Sequence, residues 1–343
     1  MSAPAAPSGP AGAPAPASPA AAAAAPAPPA APLGAASAPP PAPQPAPPGA
    51  ASSAHPGAPP PPPAGGLPAG AAGVPGGARV AAPAGAPGGL PAATVVMPAW
   101  NAAATLAEAV ASIRGQSRGD WELLIVDDGS TDATRALAEG FAAADPRIRV
   151  LGWAGNRGAA AARNAGIRAA RGRVVAFLDA DDLWRPEKLA RQVGYMEATG
   201  APFTFAAMRR IAADGRPLGL VRVPARVDYA GLLKGNVIPC QTAAFDRLHF
   251  GAVEMPDLKR RQDYGLWLRL LARGGEAHGL AEVLADYRVR PDSLSANKFV
   301  AAAATWRVYR EVAGLGRARA AWFVANNLAR GALKRLGPRE ATA

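Results

Sequence analysis

Residues 174–184 read Val-Val-Ala-Phe-Leu-Asp-Ala-Asp-Asp-Leu-Trp. The apolar run 174–178 is short, unbroken and bounded by polar residues, which predicts a strand covered on both faces. It ends in Asp179, Asp181 and Asp182. Three carboxylates so close repel one another and lose hydration together, and a cation is the simplest compensation. A strand end that gathers negative charge is a place to hold a metal and, through it, a phosphate.

The flanking sequence has the rhythm such a strand requires. Thr94 to Met97 reads as a strand closed by Pro98, and Leu106, Val110 and Ile113 recur at helical spacing behind Thr105, a candidate N-cap. Glu122 to Val126 predicts a second strand, ending in Asp127-Asp128-Gly129-Ser130. A helix over 131–141, a strand over 148–151 and a helix over 159–170 follow. Strands alternating with helices of this length predict βαβ units and a mostly parallel sheet. Both acidic clusters then fall at strand carboxyl ends, the edge where open α/β sheets bind ligands. Farther on, 202–208 and 218–223 read as strands and 263–271 as a helix. On that helix Asp263 shares a face with Trp267, Leu270 and Leu271. Residues 301–336 read as one Ala-rich basic helix. Its stripe of Trp322, Ala325, Ala329, Leu333 and Leu336, flanked by Arg330, Lys334 and Arg335, suits core packing, with membrane contact as the alternative.

Composition divides the 343 residues unevenly. Residues 1–92 are almost wholly Ala, Pro and Gly with Arg79 as the one formal charge, and such a segment is expected to stay disordered. It lacks the basic start and unbroken apolar core of a signal peptide. The expected organisation is therefore a tail (1–92), an α/β domain (93–300) and basic C-terminal helices (301–343). The net charge of +12 sits almost entirely outside the tail and suits phosphorylated substrates or a membrane surface. Aromatic residues are not interleaved with Arg or Lys as on a base-stacking surface, so no nucleic-acid partner is expected. The single cysteine, Cys240, rules out an internal disulfide. No apolar run reaches the roughly 20 residues needed to span a bilayer.

Four motifs in register carry a resemblance to a known family. Val95-Val96-Met97-Pro98-Ala99-Trp100-Asn101, Glu122 to Asp132 (ELLIVDDGSTD), Asn156-Arg157-Gly158 with Arg163-Asn164-Ala165-Gly166, and Asp179-Ala180-Asp181 occur in order. Arg261-Gln262-Asp263-Tyr264-Gly265-Leu266-Trp267-Leu268-Arg269 resembles the catalytic segment. The chain resembles family 2 glycosyltransferases with the GT-A fold over about residues 93–310. Gly235-Asn236-Val237-Ile238-Pro239, residues 255–261 and Tyr287-Arg288-Val289-Arg290-Pro291 are similar to bacterial surface-polysaccharide enzymes of the teichuronic-acid type.

The resemblance implies an inverting transfer from a UDP-sugar to a lipid-linked precursor of a cell-surface polysaccharide, assisted by Mn²⁺ or Mg²⁺. Asp181, with Asp179, would hold the metal, and Asp263 would be the general base. Pro98, Asn101, Asp127, Asp128, Arg157, Arg163, Asp179 and Arg288 would line the nucleotide-sugar site. Asp127 and Asp128 would accept from the imide N–H of uracil; an Asx turn with Gly129 explains them equally and both can hold. Arg157 and Arg163 could pair with diphosphate or with the acidic cluster. Arg288 and Arg290 could close over the diphosphate or form a solvated loop. Asp182 is the spare carboxylate and should tolerate change. Gln262 and Gly265 stand where many relatives have Glu and Asp. The expected location is the cytoplasm, at the inner face of the cell membrane. Two rivals are a catalytically silent glycan- or nucleotide-binding subunit and a sugar-phosphate nucleotidyltransferase. The latter normally needs a Gly-rich basic loop after the first strand, which Pro98 to Asn101 does not supply.

Overall fold

A computed structural model describes residues 1–2, 90–289 and 298–336. The tail expected over 1–92 lies outside them except at its two ends, as does Arg290. The first strands and helices are β1 (Ala93–Ala99), α1 (Leu106–Arg114), β2 (Trp121–Asp127), α2 (Thr134–Ala144), β3 (Ile148–Gly152), α3 (Ala159–Ala169) and β4 (Val174–Phe177). Then come β5 (Leu183–Trp184), α4 (Lys188–Thr199), β6 (Phe203–Ile211), β7 (Pro217–Val221), β8 (Arg226–Asp228) and α5 (Tyr229–Leu233). A 3₁₀ turn (Cys240–Thr242), β9 (Ala244–Asp246), α6 (Arg247–Phe250), α7 (Gln262–Leu271), β10 (Glu276–Arg288), α8 (Lys298–Arg307), a π turn (Val308–Val312) and α9 (Arg317–Leu336) complete the order.

One mixed sheet runs β3-β2-β1-β4-β9-β6-β10-β5, with β7 on β6 and β8 on β10. The β1–β2, β2–β3, β1–β4 and β6–β10 ladders are parallel, as expected, and hold most of the paired residues. Antiparallel β9 wedges between β4 and β6. The chain winds outward through β2 and β3, then returns through α3 to place β4 on the other side of β1. That reversal is a topological switch point, and it opens a crevice at the carboxyl ends of β1, β2 and β4.

Strand alternation divides the core into two layers. Val96, Val175 and Phe177 face one layer with α3, α7 and the π turn; Val95, Met97, Val174 and Ala176 face the other with α1 and α4. Tyr309, Leu315 and Ala320 belong to the first layer, so the start of the basic C-terminal segment packs into the same core.

Several expected boundaries move for local reasons. β1 continues through Pro98 to Ala99. Leu178 N–H donates to the Val96 carbonyl, so even residues of β1 turn their backbone groups toward β4. The β4 ladder has ended by then, and the N–H that Pro98 lacks falls beyond it. Thr105 occupies the N-cap of α1 but its hydroxyl caps no helix N–H. α2 starts at Thr134 because Asp132 Oδ1 accepts from Thr134 N–H (2.9 Å) and Oγ1 (2.5 Å), holding 130–133 as a turn. The helix expected over 301–336 is broken by the π turn and by Gly314 at φ +64°.

Candidate active site

The crevice is built by four segments. At the end of β1, Asn101 adopts φ +48°. Its N–H donates to Ser130 Oγ (3.0 Å) and its Oδ1 accepts from Thr131 N–H (2.9 Å), joining the turns after β1 and β2. Asn is among the few non-Gly residues that tolerate this backbone region. Pro98 lies beside Val126 in the β1–β2 ladder, two residues before the turn.

Asp127 and Asp128 are both buried. Asp127 Oδ1 accepts from Ser130 N–H at 3.2 Å, an Asx turn of the kind the sequence allowed. Asp128 does more. Its Oδ1 accepts from Trp153 Nε1 (2.9 Å) and Arg157 N–H (2.8 Å), and its Oδ2 from Gly158 N–H (2.8 Å). One carboxylate thus holds the loop between β3 and α3, and a backbone contact locks the same loop: a Cβ on Gly129 would lie 2.5 Å from Gly155. Arg157 is exposed at the rim, its guanidinium 4.9 Å above the Trp153 ring.

The Arg163-Asn164-Ala165-Gly166 stretch of α3 divides its work. Arg163, buried, bonds Asp179 Oδ1 through Nη2 at 2.5 Å. Asn164 clamps the loop before α7, giving Nδ2–H to the Met255 carbonyl (2.9 Å) and accepting Met255 N–H (2.7 Å). Gly166 lets α3 close on β1; a Cβ there would sit 2.3 Å from Val96 Cγ1. Burial works against the Arg163 charge, but the Asp179 carboxylate outweighs it, with Asp263 adding, and the guanidinium stays protonated.

Beyond β4, the three carboxylates part. Asp179 is partly exposed and paired with Arg163. Asp181 is half-buried, with its carbonyl accepting from Arg288 Nε (3.0 Å). Asp182 is 1 % exposed; its Oδ1 accepts Arg288 N–H (2.8 Å) while Oδ2 has no hydrogen-bond partner. Burial, then the charges of Asp179 and Asp181, holds its carboxyl well above the usual range. The expectation that Asp182 tolerates change is therefore corrected: it is the deepest of the three and fastens β10 to the end of β4.

Arg288, expected near the diphosphate, is held at the same join. It is the last residue of β10, and its guanidinium is spent on the Asp181 carbonyl, the Ala213 carbonyl (2.6 Å) and Glu108 Oε2 (2.6 Å). Anchored at these three points, the side chain ties the end of β10 to the turn after β4 and to α1.

Asp263 enters from the first turn of α7, after Arg261 at φ +63°. Asn236 Nδ2 lies 3.5 Å from its Oδ2. Cys240 marks where the segments meet. Burial pushes its thiol well up, Arg163 acts against that, and the charges of Asp179, Asp263 and Asp182 add to it. Gly265, the departure noted in the sequence, has a steric reason: a Cβ there would lie 2.4 Å from Pro256 Cγ.

Two features escaped the sequence reading. Lys188 is fully buried, its Nζ 3.6 Å from the Trp184 ring centroid and without a hydrogen-bond partner. Its place in the first turn of an amphipathic helix gave no sign of burial. The second is a buried polar chain behind α7. Asn327 Nδ2 donates to Tyr309 Oη (2.5 Å), which donates to the Leu233 carbonyl (2.6 Å) and lies 3.1 Å from Tyr264 Oη. Tyr264 is the neighbour of Asp263, and its hydroxyl reaches the Leu232 carbonyl at 2.8 Å.

The donor set suits a hard divalent cation. Asp179 and Asp181 offer carboxylate oxygens on one turn, and no cluster of three or more His, Cys, Asp or Glu able to hold a metal occurs among the described residues. Mg²⁺-type sites use one or two carboxylates and fill their remaining positions with phosphate oxygens and water.

Comparison with known proteins agrees with this architecture. The family model "Glycosyl transferase family 2" matches residues 94–245. A teichuronic acid biosynthesis glycosyltransferase assignment, TuaG of Bacillus subtilis (strain 168), is 41% identical over 229 residues, 66% of this chain and 91% of that protein. The Escherichia coli protein WfgD, named UDP-Glc:alpha-D-GlcNAc-diphosphoundecaprenol beta-1,3-glucosyltransferase, is 33% identical over 69% of this chain and 88% of its own length. Among solved structures, S. aureus TarS 1-349 in complex with UDP-GlcNAc superposes with a TM-score of 0.55 at 18% identity, covering 69% of this chain and 71% of that one. The fold is thus GT-A-like, and with so much of two relatives covered at these identities, the chain belongs to glycosyl transferase family 2.

Proposed function

We propose that this glycosyltransferase moves a sugar from a UDP-sugar, with inversion, onto a hydroxyl of a lipid-linked precursor of a cell-surface polysaccharide. The observation that carries the reading is the Arg163–Asp179 pair after β4, with the charge of Asp263 close enough to act on both Arg163 and Cys240. The relatives' names supply the substrate classes: teichuronic acid for TuaG, and UDP-Glc with a diphosphoundecaprenol-linked sugar for WfgD.

Each segment then has a task. Asp127 has acceptor capacity for the imide N–H of uracil, while Asp128 shapes the wall by holding the 153–158 loop. Arg157 at the rim and Arg163 inside supply positive charge toward the diphosphate. Mn²⁺ or Mg²⁺, held by Asp181 with Asp179, would neutralise the leaving diphosphate without any proton transfer. Asp263 takes the proton of the acceptor hydroxyl as that oxygen bonds the anomeric carbon and the bond to UDP breaks on the opposite face. Arg163 has a second role. While it is paired with Asp179, it balances the carboxylate charge that a bound metal would balance in its place.

The acceptor's lipid places the work at a membrane surface, with the C-terminal helices as the contact. No helix among the described residues is long and apolar enough to cross a bilayer. The test is a thermal-shift series with UDP-sugars, with and without Mn²⁺, followed by product analysis. A ligand at 100 times its Kd adds about 2.7 kcal/mol to stability. Mn²⁺-dependent stabilisation by a UDP-sugar, with transfer to a diphosphoundecaprenol-linked sugar, is expected. Stabilisation without any turnover would instead support a silent nucleotide-binding subunit.

A further inference from the structure

Helix α9 turns an apolar stripe outward. Its inner side is accounted for: Ala320 is buried, Phe323 and Val324 pack on the core, and Asn327 bonds Tyr309. Steps of three and four residues from Trp322 lead to Ala318, Ala325 and Ala329, all exposed. Trp322 itself is 57% exposed and Leu328, at the edge of the stripe, 49%. The stripe that suited core packing in the sequence therefore lies, as far as it is described, on the outside.

Charge selects the occupant. The α9 sequence holds Arg317, Arg319, Arg330, Lys334 and Arg335 and no Asp or Glu. A second copy of this chain would bring two such helices together against their own repulsion. An anionic lipid surface matches both the charge and the stripe, since a basic helix with an aromatic apolar face lies in the headgroup region. We propose that the outer face of α9, centred on Trp322, docks flat on an anionic membrane.

The inner face gives this docking a purpose. Asn327 Oδ1 lies 2.8 Å from where a Cβ of Gly235 would be, and the next residue, Asn236, reaches Asp263. A helix lying on lipid thus backs directly onto the loop bordering the candidate base, and brings the acceptor side of the crevice to the surface that carries the acceptor. This purpose rests on the proposed lipid-linked acceptor; the docking itself is measured without turnover.

The experiment is co-sedimentation of the full chain with phosphatidylcholine vesicles, with and without phosphatidylglycerol. The variants are Trp322→Glu and the pair Arg317→Gln, Arg319→Gln, each checked for an unchanged melting temperature. Binding is expected only with phosphatidylglycerol. It should weaken about fivefold per arginine neutralised, equivalent to about 1 kcal/mol each, and about tenfold or more in Trp322→Glu. Turnover of a water-soluble acceptor should be unchanged in Trp322→Glu. Equal vesicle binding by parent and Trp322→Glu overturns the proposal, as does no binding by the parent. A parent that is dimeric in solution and made monomeric by Trp322→Glu overturns it in favour of a second copy. Vesicle binding without UDP-sugar turnover leaves the docking standing and removes the proposed function.

Discussion

Asp263 sits in the first turn of α7. The Asn236 amide beside it is at the long limit of a hydrogen bond. Asp263→Asn should lower kcat about 10²–10⁴-fold while UDP binding by calorimetry stays near that of the parent; retained turnover would place the base elsewhere. Lys188 makes a different forecast. Burial holds its amine well below the ordinary 10.5, so the unfolded chain binds the extra proton and stability rises with pH toward 10.5. Lys188→Met should raise stability at neutral pH by about 1–3 kcal/mol and flatten that rise, read from melting temperatures between neutral and alkaline pH. Asp182→Ala should cost about 1–3 kcal/mol by orphaning Arg288 N–H. The acidic residues were legible in the sequence as a group, because their types and order are distinctive. Their separate depths were not. Asp182 and Arg288 are buried only because their two segments, far apart in sequence, meet at the end of β10.

At the scale of elements, β1, β2 and β4 were readable because each is a near-continuous apolar run covered on both faces. β10 was not. Its burial follows no clean alternation, since the ladder to β6 shifts register between Leu280 and Val283 and again before Ala285. The break between α8 and α9 had a signal in Gly314 and Gly316, masked by the Ala-rich stretches on either side of them. Close helix approaches give a direct test. Gly265→Ala gains up to about 1 kcal/mol of helix propensity, but the rigid Pro256 ring stands in the way. A net loss of about 1–2 kcal/mol is expected in chemical denaturation, and a more stable variant would show that the 255–256 loop yields.

For the whole molecule, the tie between the C-terminal segment and the catalytic face is the Asn327–Tyr309–Tyr264 chain. Tyr309→Phe leaves the Leu233 carbonyl without its hydroxyl donor and the Asn327 amide with the Phe323 carbonyl alone. It should cost about 1–3 kcal/mol of stability and reduce kcat more than donor KM, because the loosened turn carries Asp263 and not the nucleotide side. An unchanged kcat would make the chain purely structural. A further consequence belongs to β10, which fills the open side of β6 along 204–211. During synthesis β6 is complete when residue 211 emerges, yet its partner ends at 288. At cellular translation rates that interval is roughly 4–15 s, through which a strand edge rich in buried aromatics waits unpaired. Newborn chains should therefore meet their greatest hazard of aggregation in that interval, and a pause in translation before residue 276 would lengthen it.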